Sequence, residues 1–175
     1  MIYIKAVGEI DVQILDFFSS SESTVVSSLS LFLDSHEKVG SVKTTTLSVF
    51  LRNKNISKID FLKIDIEGHD IFALRGHDWN VLPKIILCEF EDSKTTDLGY
   101  TYEETGDLLL SKGYEVLLCE WAPIVKYGTN HSFHKIEKYP TQLSDLDGWG
   151  NFIAISKEYY DEFTQVLKND FNQNV

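Results

Sequence analysis

The sequence predicts an α/β fold with a mainly parallel sheet and a C-terminal antiparallel hairpin. Three observations carry this. Apolar strand-like runs alternate with helical patterns along the chain. Two of those runs, Ile59–Ile66 and Lys84–Phe90, are nearly continuous in apolar residues, as strands buried on both faces are. Each ends abruptly in acids, Asp65 and Glu67 on the first, Glu89 and Glu91 on the second. The carboxyl ends of parallel strands are where open α/β sheets bind ligands.

Taken in order, residues 2–7 and 11–18 read as strands. Residues 19–30 are serine-rich and read as a surface loop, with a mobile lid as the functional alternative. Val39–Thr46 is extended, and Leu47, Phe50 and Leu51 then fall at helical spacing, predicting a short helix over 46–54. After the 59–66 strand, a helical or turning segment carries Phe72, Leu74, Trp79 and Leu82 and closes at Pro83. Thr101 and Glu104 form a capping-box pattern that opens a helix to Lys112, with Gly113 as its stop. Tyr114–Trp121 is a third strand, 122–148 a long irregular connection, and Gly150–Ser156 a last strand that pairs back on the third. Ser156 is placed to cap a final helix with an apolar stripe of Tyr160, Phe163, Val166, Leu167 and Phe171.

Composition narrows the function. With 175 residues the chain is long enough for one domain with a real core, and 1–175 is read as that domain. A net charge of −11 argues against a nucleic-acid partner. No apolar stretch is long enough to cross a bilayer, and the first residues lack the pattern of a secretory signal. Cys88 and Cys119 lie in apolar strands without metal-ligand spacing, which fits buried thiols in a reducing cytoplasm.

The acidic strand ends admit several chemistries. Carboxylates there can hold a divalent cation, take a proton, or hydrogen-bond a ligand's hydroxyls; they can also simply favour a following helix N-terminus. If the strand continued to Glu67, its alternation would put Asp65 and Glu67 on one side. His131 is the best base at neutral pH in the long connection. Trp121, Tyr127 and Trp149 are the aromatic candidates in and around the long connection, with core packing the simpler role for Trp121. No histidine pattern supports a metal centre, and none is predicted.

Residues Ile59-Asp-Phe-Leu-Lys-Ile-Asp-Ile-Glu-Gly-His-Asp-Ile-Phe-Ala-Leu-Arg-Gly76 resemble the hallmark segment of the FkbM-type methyltransferase family. Thr44–Leu51 resembles the family's preceding helix, with Ser48 where an Asp is more usual. Glu89–Thr95, Glu120–Gly128 with His131, and Trp149–Ala154 are similar to a subgroup found beside glycosyltransferases. The likeness spans nearly the whole chain. It implies a Rossmann-like fold and S-adenosylmethionine-dependent O-methylation of a glycan or small-metabolite hydroxyl. On that resemblance Asp65, Glu67 and His131 are the catalytic candidates, and Asp65 with Gly68 touches the cofactor. Glu89, Glu91 and Trp149 bind the acceptor, and the subgroup likeness implies that Trp121, Tyr127 and Trp149 form an aromatic wall for a sugar ring.

The family builds its donor site mainly from its first two strands, with a Gly-rich turn after the first and an acid after the second. Here Gly8 stands alone, and residues 2–7 resemble the family's third strand. The chain thus reads as a methyltransferase fold lacking its first strands. The expected consequence is an open edge on the 59–66 strand. Segments 2–7 and 11–18 would pair elsewhere, or a partner chain or second copy would cover that edge. The competing function is a catalytically inactive remnant or accessory domain that binds a partner through it. A metal-dependent hydrolase or glycosyltransferase using Asp65 and Glu67 rests on the Asp-Ile-Glu spacing alone.

Overall fold

The computed structural model describes residues 5–20, 27–126 and 129–171. The chain forms two compact units, Met1–Lys58 with Asp65–Leu82, and Ile59–Ile64 with Pro83–Val175.

The first unit holds a four-stranded sheet in the order β1 (Ala6–Val7), β4 (His36–Thr45), β2 (Ile14–Ser20), β3 (Ser27–Ser28). β1 runs parallel to β4, while β2 pairs antiparallel with both β4 and β3. The threonine run ending β4 explains part of this. Buried Thr44 accepts a bond from the Gln13 N–H at 3.0 Å and donates to the Ile10 carbonyl at 2.6 Å, pinning the turn that leads into β2. Thr46 then caps α1 (Leu47–Asn53), its hydroxyl accepting the Val49 N–H at 3.2 Å. The unit's second helix is α2 (Asp70–Arg75). It ends at Gly76, where an added Cβ would meet the Gly8 carbonyl oxygen at 2.2 Å, so only glycine fits.

The second unit holds a five-stranded sheet in the order β5 (Ile59–Ile64), β6 (Pro83–Glu91), β9 (Trp149–Ser156), β7 (Tyr114–Trp121), β8 (Phe133–Lys138). One face carries Phe90 and Phe152 against Tyr102, the first residue of α4 (Tyr102–Ser111), and Tyr139. Gly106 of α4 lies so near the Tyr139 ring that a Cβ would sit 2.6 Å from it. At one end of the opposite face, Ile85, Leu117, Ile136, Ile153 and Ile155 pack with Tyr159, Tyr160, Phe163 and Leu167 of α5 (Lys157–Phe171). The other end of that face bears Glu89 and Glu91, register partners of Asn151 and Trp149, and then Trp121 opposite Trp149. A short helix α3 (Asp92–Thr95) and a 3₁₀ turn (Thr96–Leu98) link β6 to α4.

Most predicted elements stand where expected, and the sheet direction is the main correction. The sheet is mixed rather than mainly parallel: β5 and β6 are parallel, whereas β6/β9, β7/β9 and β7/β8 are antiparallel. Helices cover both faces, so its central strands are apolar throughout whichever way they run, and the continuous apolar runs do not report direction. No helix lies between β7 and β9 among the described residues, and both β8 and β9 run opposite to β7. The pairing of 114–121 with the last strand is observed, but the connection contains β8 instead of being wholly irregular. Pro83 opens β6 rather than closing the preceding segment. Ser156 does not cap α5: its buried hydroxyl has no hydrogen-bond partner among the described residues.

The expected edge is present. Among the described strands β5 pairs only with β6, while Ala6–Val7 and Ile14–Ser20 pair with β4. The heart of the predicted lid, residues 21–26, lies outside the described residues, as do residues 1–4 of the first predicted strand.

Candidate active site

The chain leaves β5 at Ile64 and enters a turn rather than continuing as a strand. Glu67 and Gly68 both take left-handed conformations, with φ of 55° and 83°. For Glu67 this is a strained conformation of the kind that concentrates at functional sites. The Ser28 hydroxyl donates to the Glu67 carbonyl at 3.1 Å and helps hold it. The turn, not strand alternation, brings the two acids together. Asp65, Ile66 and Glu67 line one wall of a cavity of about 910 Å³, whose other walls include Lys5, Phe17, Val39 and Val42. Gly68 is buried behind it. Next along the chain, His69 is buried, and its Nδ1 has no hydrogen-bond partner among the described residues. Burial pulls its pKa down to about 4, so the imidazole is neutral at pH 7. Its side chain makes no cap bond to α2.

Glu89 and Glu91 end β6 in a different setting. Lys94, from α3, reaches back between them, with Nζ 3.3 Å from Glu89 and 2.8 Å from Glu91. The Lys94 side chain is only 2% exposed, and the two carboxylates 12% and 9%. The Ser93 hydroxyl also donates to Glu91 at 2.8 Å. Asp92 beside them has its pKa raised, chiefly by burial, while its Oδ1 accepts the Tyr102 N–H at 2.7 Å. This cluster is internally paired.

Trp149 and His131 meet in a third setting. Trp121 and Trp149 are register partners on β7 and β9, their rings stacked at 6.3 Å and 27°. His131 stands edge-on to Trp149 at 5.3 Å. Trp121, Trp149 and His131, with Thr129 and Asn130, line a second cleft of about 510 Å³. Trp121 is therefore half-exposed at a cleft wall and not a core side chain. Tyr127 lies outside the described residues. On the other face of β7, Glu120 is fully buried. It accepts the Ser144 N–H at 2.8 Å, the Asp145 N–H at 3.1 Å and the Ser144 hydroxyl at 3.0 Å, and lies 3.4 Å from His134 Nδ1. Burial pushes its pKa up, but these bonds outweigh that and hold it below the usual carboxylate value.

Two other histidines are held by hydrogen bonds. His77 bridges Ser48 at 3.4 Å and the Val81 carbonyl at 2.9 Å, and His36 Nδ1 accepts the Phe32 N–H at 3.4 Å. Ser48, at the position where an Asp is more usual, also accepts the Asp78 N–H at 2.6 Å. Among the described residues no three His, Cys, Asp or Glu side chains group as metal ligands, and no helix is long and apolar enough to cross a membrane.

The Methyltransferase FkbM domain matches residues 3–116. The chain belongs to the FkbM methyltransferase family. No curated protein and no solved structure matches it. The match takes in the Asp65–Gly68 turn and the Glu89–Glu91–Lys94 cluster, and it ends before the Trp121–Trp149 cleft.

Sequence reasoning missed Lys94, Glu120 and the exposed face of Trp121. Lys94 carried a signal, since it stands three residues after Glu91 at the start of a helix, within ion-pair reach. Glu120 carried none: its partners Ser144 and Asp145 lie more than twenty residues away in a connection of no recognisable pattern.

Proposed function

We propose that this chain is a cytoplasmic, S-adenosylmethionine-dependent O-methyltransferase with a Rossmann-like frame, acting on a hydroxyl of a glycan or small metabolite. The observation that carries the reading is the Asp65-Ile66-Glu67-Gly68 turn. Within the segment matched to the methyltransferase family, its Asp65, Ile66 and Glu67 line a cavity of about 910 Å³. That volume is in the range of small-molecule sites, about 300–1,000 Å³. The free thiols of Cys88 and Cys119 fit a reducing compartment.

The residues present suit the donor. Asp65 and Glu67 match a cationic sulfonium and ribose hydroxyls, and Phe17, Val39 and Val42 offer an apolar wall to a purine. Gly8 does not replace a Gly-rich turn. Its N–H bonds to the Thr45 carbonyl at 3.0 Å, and its own carbonyl is packed against Gly76. When bound, the donor supplies an electrophilic methyl group for in-line displacement. Asp65 orients the acceptor hydroxyl and takes its proton as the oxygen attacks. Glu67, fixed by its left-handed turn and by Ser28, keeps that carboxylate in place and screens the site from rearrangement.

Calorimetric titration of the full chain with S-adenosylmethionine tests this. Micromolar binding is expected, weakened at least tenfold in Asp65→Asn and Glu67→Ala with little change in melting temperature. A folded chain that binds no donor would overturn the reading.

One observation favours a second reading, an accessory domain that pairs with a partner strand. β5 has β6 as its sole strand partner among the described residues, and Phe61 on it is 56% exposed. Absence of donor binding together with association that Phe61→Lys abolishes would select it.

A further inference from the structure

We infer that the Trp121–Trp149 cleft is a binding site for a neutral sugar ring of the acceptor. This deepens the acceptor half of the function proposed above and rests on that reading for its biological meaning. The binding site itself stands on the cleft's own geometry.

The sequence and register build the platform. Trp121 and Trp149 face each other across the β7/β9 ladder, a position where side chains stand closest on one face of a sheet. An irregularity in the β7/β8 ladder between Glu120 and Trp121 falls at this point, and Phe133 of β8 braces the outer side of Trp121 edge-on at 5.4 Å. The two indoles stack on one another, with centroids 6.3 Å apart and planes 27° from parallel, and together they form the aromatic part of the cleft lining. His131 fixes the edge of Trp149. The indole N–H of Trp149 is buried with no hydrogen-bond partner among the described residues.

The lining chemistry selects the ligand. Aromatic faces receive the C–H face of a pyranose ring, which excludes water from both surfaces. The remaining lining groups are the Asn130 amide, the Thr129 hydroxyl and the His131 imidazole, which both donate and accept and so match the alternating needs of sugar hydroxyls. Among the described residues no Lys or Arg lines the cleft, and the chain's net charge is −11, so an anionic ligand is disfavoured. A lipid chain would bury the three polar groups without partners, at a cost in free energy. The family match ends at residue 116, so every lining residue lies in the part of the chain that the shared domain does not specify.

The test is a titration of the whole chain, with no methyl donor, against neutral tetrasaccharides: cellotetraose, mannotetraose and N-acetylchitotetraose. Binding is read by saturation-transfer NMR and by tryptophan fluorescence, with Trp79→Phe removing the only tryptophan outside the cleft. At least one probe is expected to bind. Its affinity should fall at least tenfold in Trp149→Ala and Trp121→Ala and severalfold in Asn130→Ala, while Trp79→Phe leaves it unchanged. Asn130 and Thr129 are exposed, so if a tryptophan variant fails to fold, Asn130→Ala and Thr129→Ala decide the matter. No binding of any probe, or binding that folded cleft variants leave intact, overturns the inference. Donor binding is measured separately. Sugar binding without donor binding retains this inference and removes the methyltransferase reading, and the reverse result does the opposite.

Discussion

The acidic residues that follow β5 and those that end β6 look alike in the sequence, yet their environments differ. After β6, Glu91 is buried and Glu89 largely so, and both share the ammonium of Lys94. After β5, Asp65 is exposed, and both Asp65 and Glu67 line a cavity. The difference shows that an acidic strand end is not by itself a site. Where the following helix returns a lysine, the carboxylates become part of the scaffold. Where the chain instead enters a left-handed turn, they face a space that a ligand can fill.

The strongest way to break this contrast is to remove the shared cation. Lys94→Met leaves two buried carboxylates together, and the expected loss is about 3–5 kcal/mol of stability, the usual range for one partner of a buried pair. Urea denaturation reads it, and adding Glu91→Gln should restore part of the loss. A change below about 1 kcal/mol would mean that the cluster is as solvent-accessible as the β5 turn.

The second effect concerns the buried histidine next to that turn. The folded pKa of His69 is about 4, against an ordinary value of 6.5. Between those values the unfolded chain binds a proton that the folded chain refuses. Stability is therefore full above about pH 6.5 and falls as the pH drops towards 4, by up to roughly 3 kcal/mol. His69→Leu should flatten that part of the profile. An unchanged profile would show that His69 is protonated in the fold.

Glu120 titrates lower. Its folded pKa is depressed, so its contribution is present above its ordinary value of 4.5 and is lost as the pH falls through the folded value. Glu120→Gln should cost about 1.5–3 kcal/mol at pH 7, the scale of hydrogen bonds to a charged group. That deficit should shrink in acid, which a pair of denaturation curves at pH 7 and pH 3 would reveal.

The smallest expected effect has the opposite sign. Glu67→Gly relieves a left-handed φ of 55° and should hold or raise stability by about 0.5–1 kcal/mol. It should also weaken donor binding. Thermal denaturation beside calorimetry would expose the trade-off, and a destabilised variant would place Glu67 with the scaffold carboxylates instead.

Much of the fold was legible from local pattern. The helices α1 and α4, the strand Tyr114–Trp121 and the last helix follow from caps, periodicity and apolar runs over a few turns. Glu104 accepts both the backbone N–H and the hydroxyl of Thr101, at 2.8 and 2.7 Å, as the capping pattern implied. The segment Ile59–Gly76 carries the family resemblance, and β5, with which it opens, has β6 as its sole strand partner among the described residues. These features depend on neighbours in the chain, so the sequence alone determines them.

Tertiary structure decided the rest, because the deciding partners are remote or sterically specific. Strand direction was hidden, since a sheet covered on both faces wants apolar residues either way. Whether an acid serves the scaffold or faces a cavity depended on where Lys94 returns and on the left-handed turn at Glu67. The pairing of Trp121 with Trp149 joins residues separated by a connection that includes β8, and only the β7/β9 register makes them one surface.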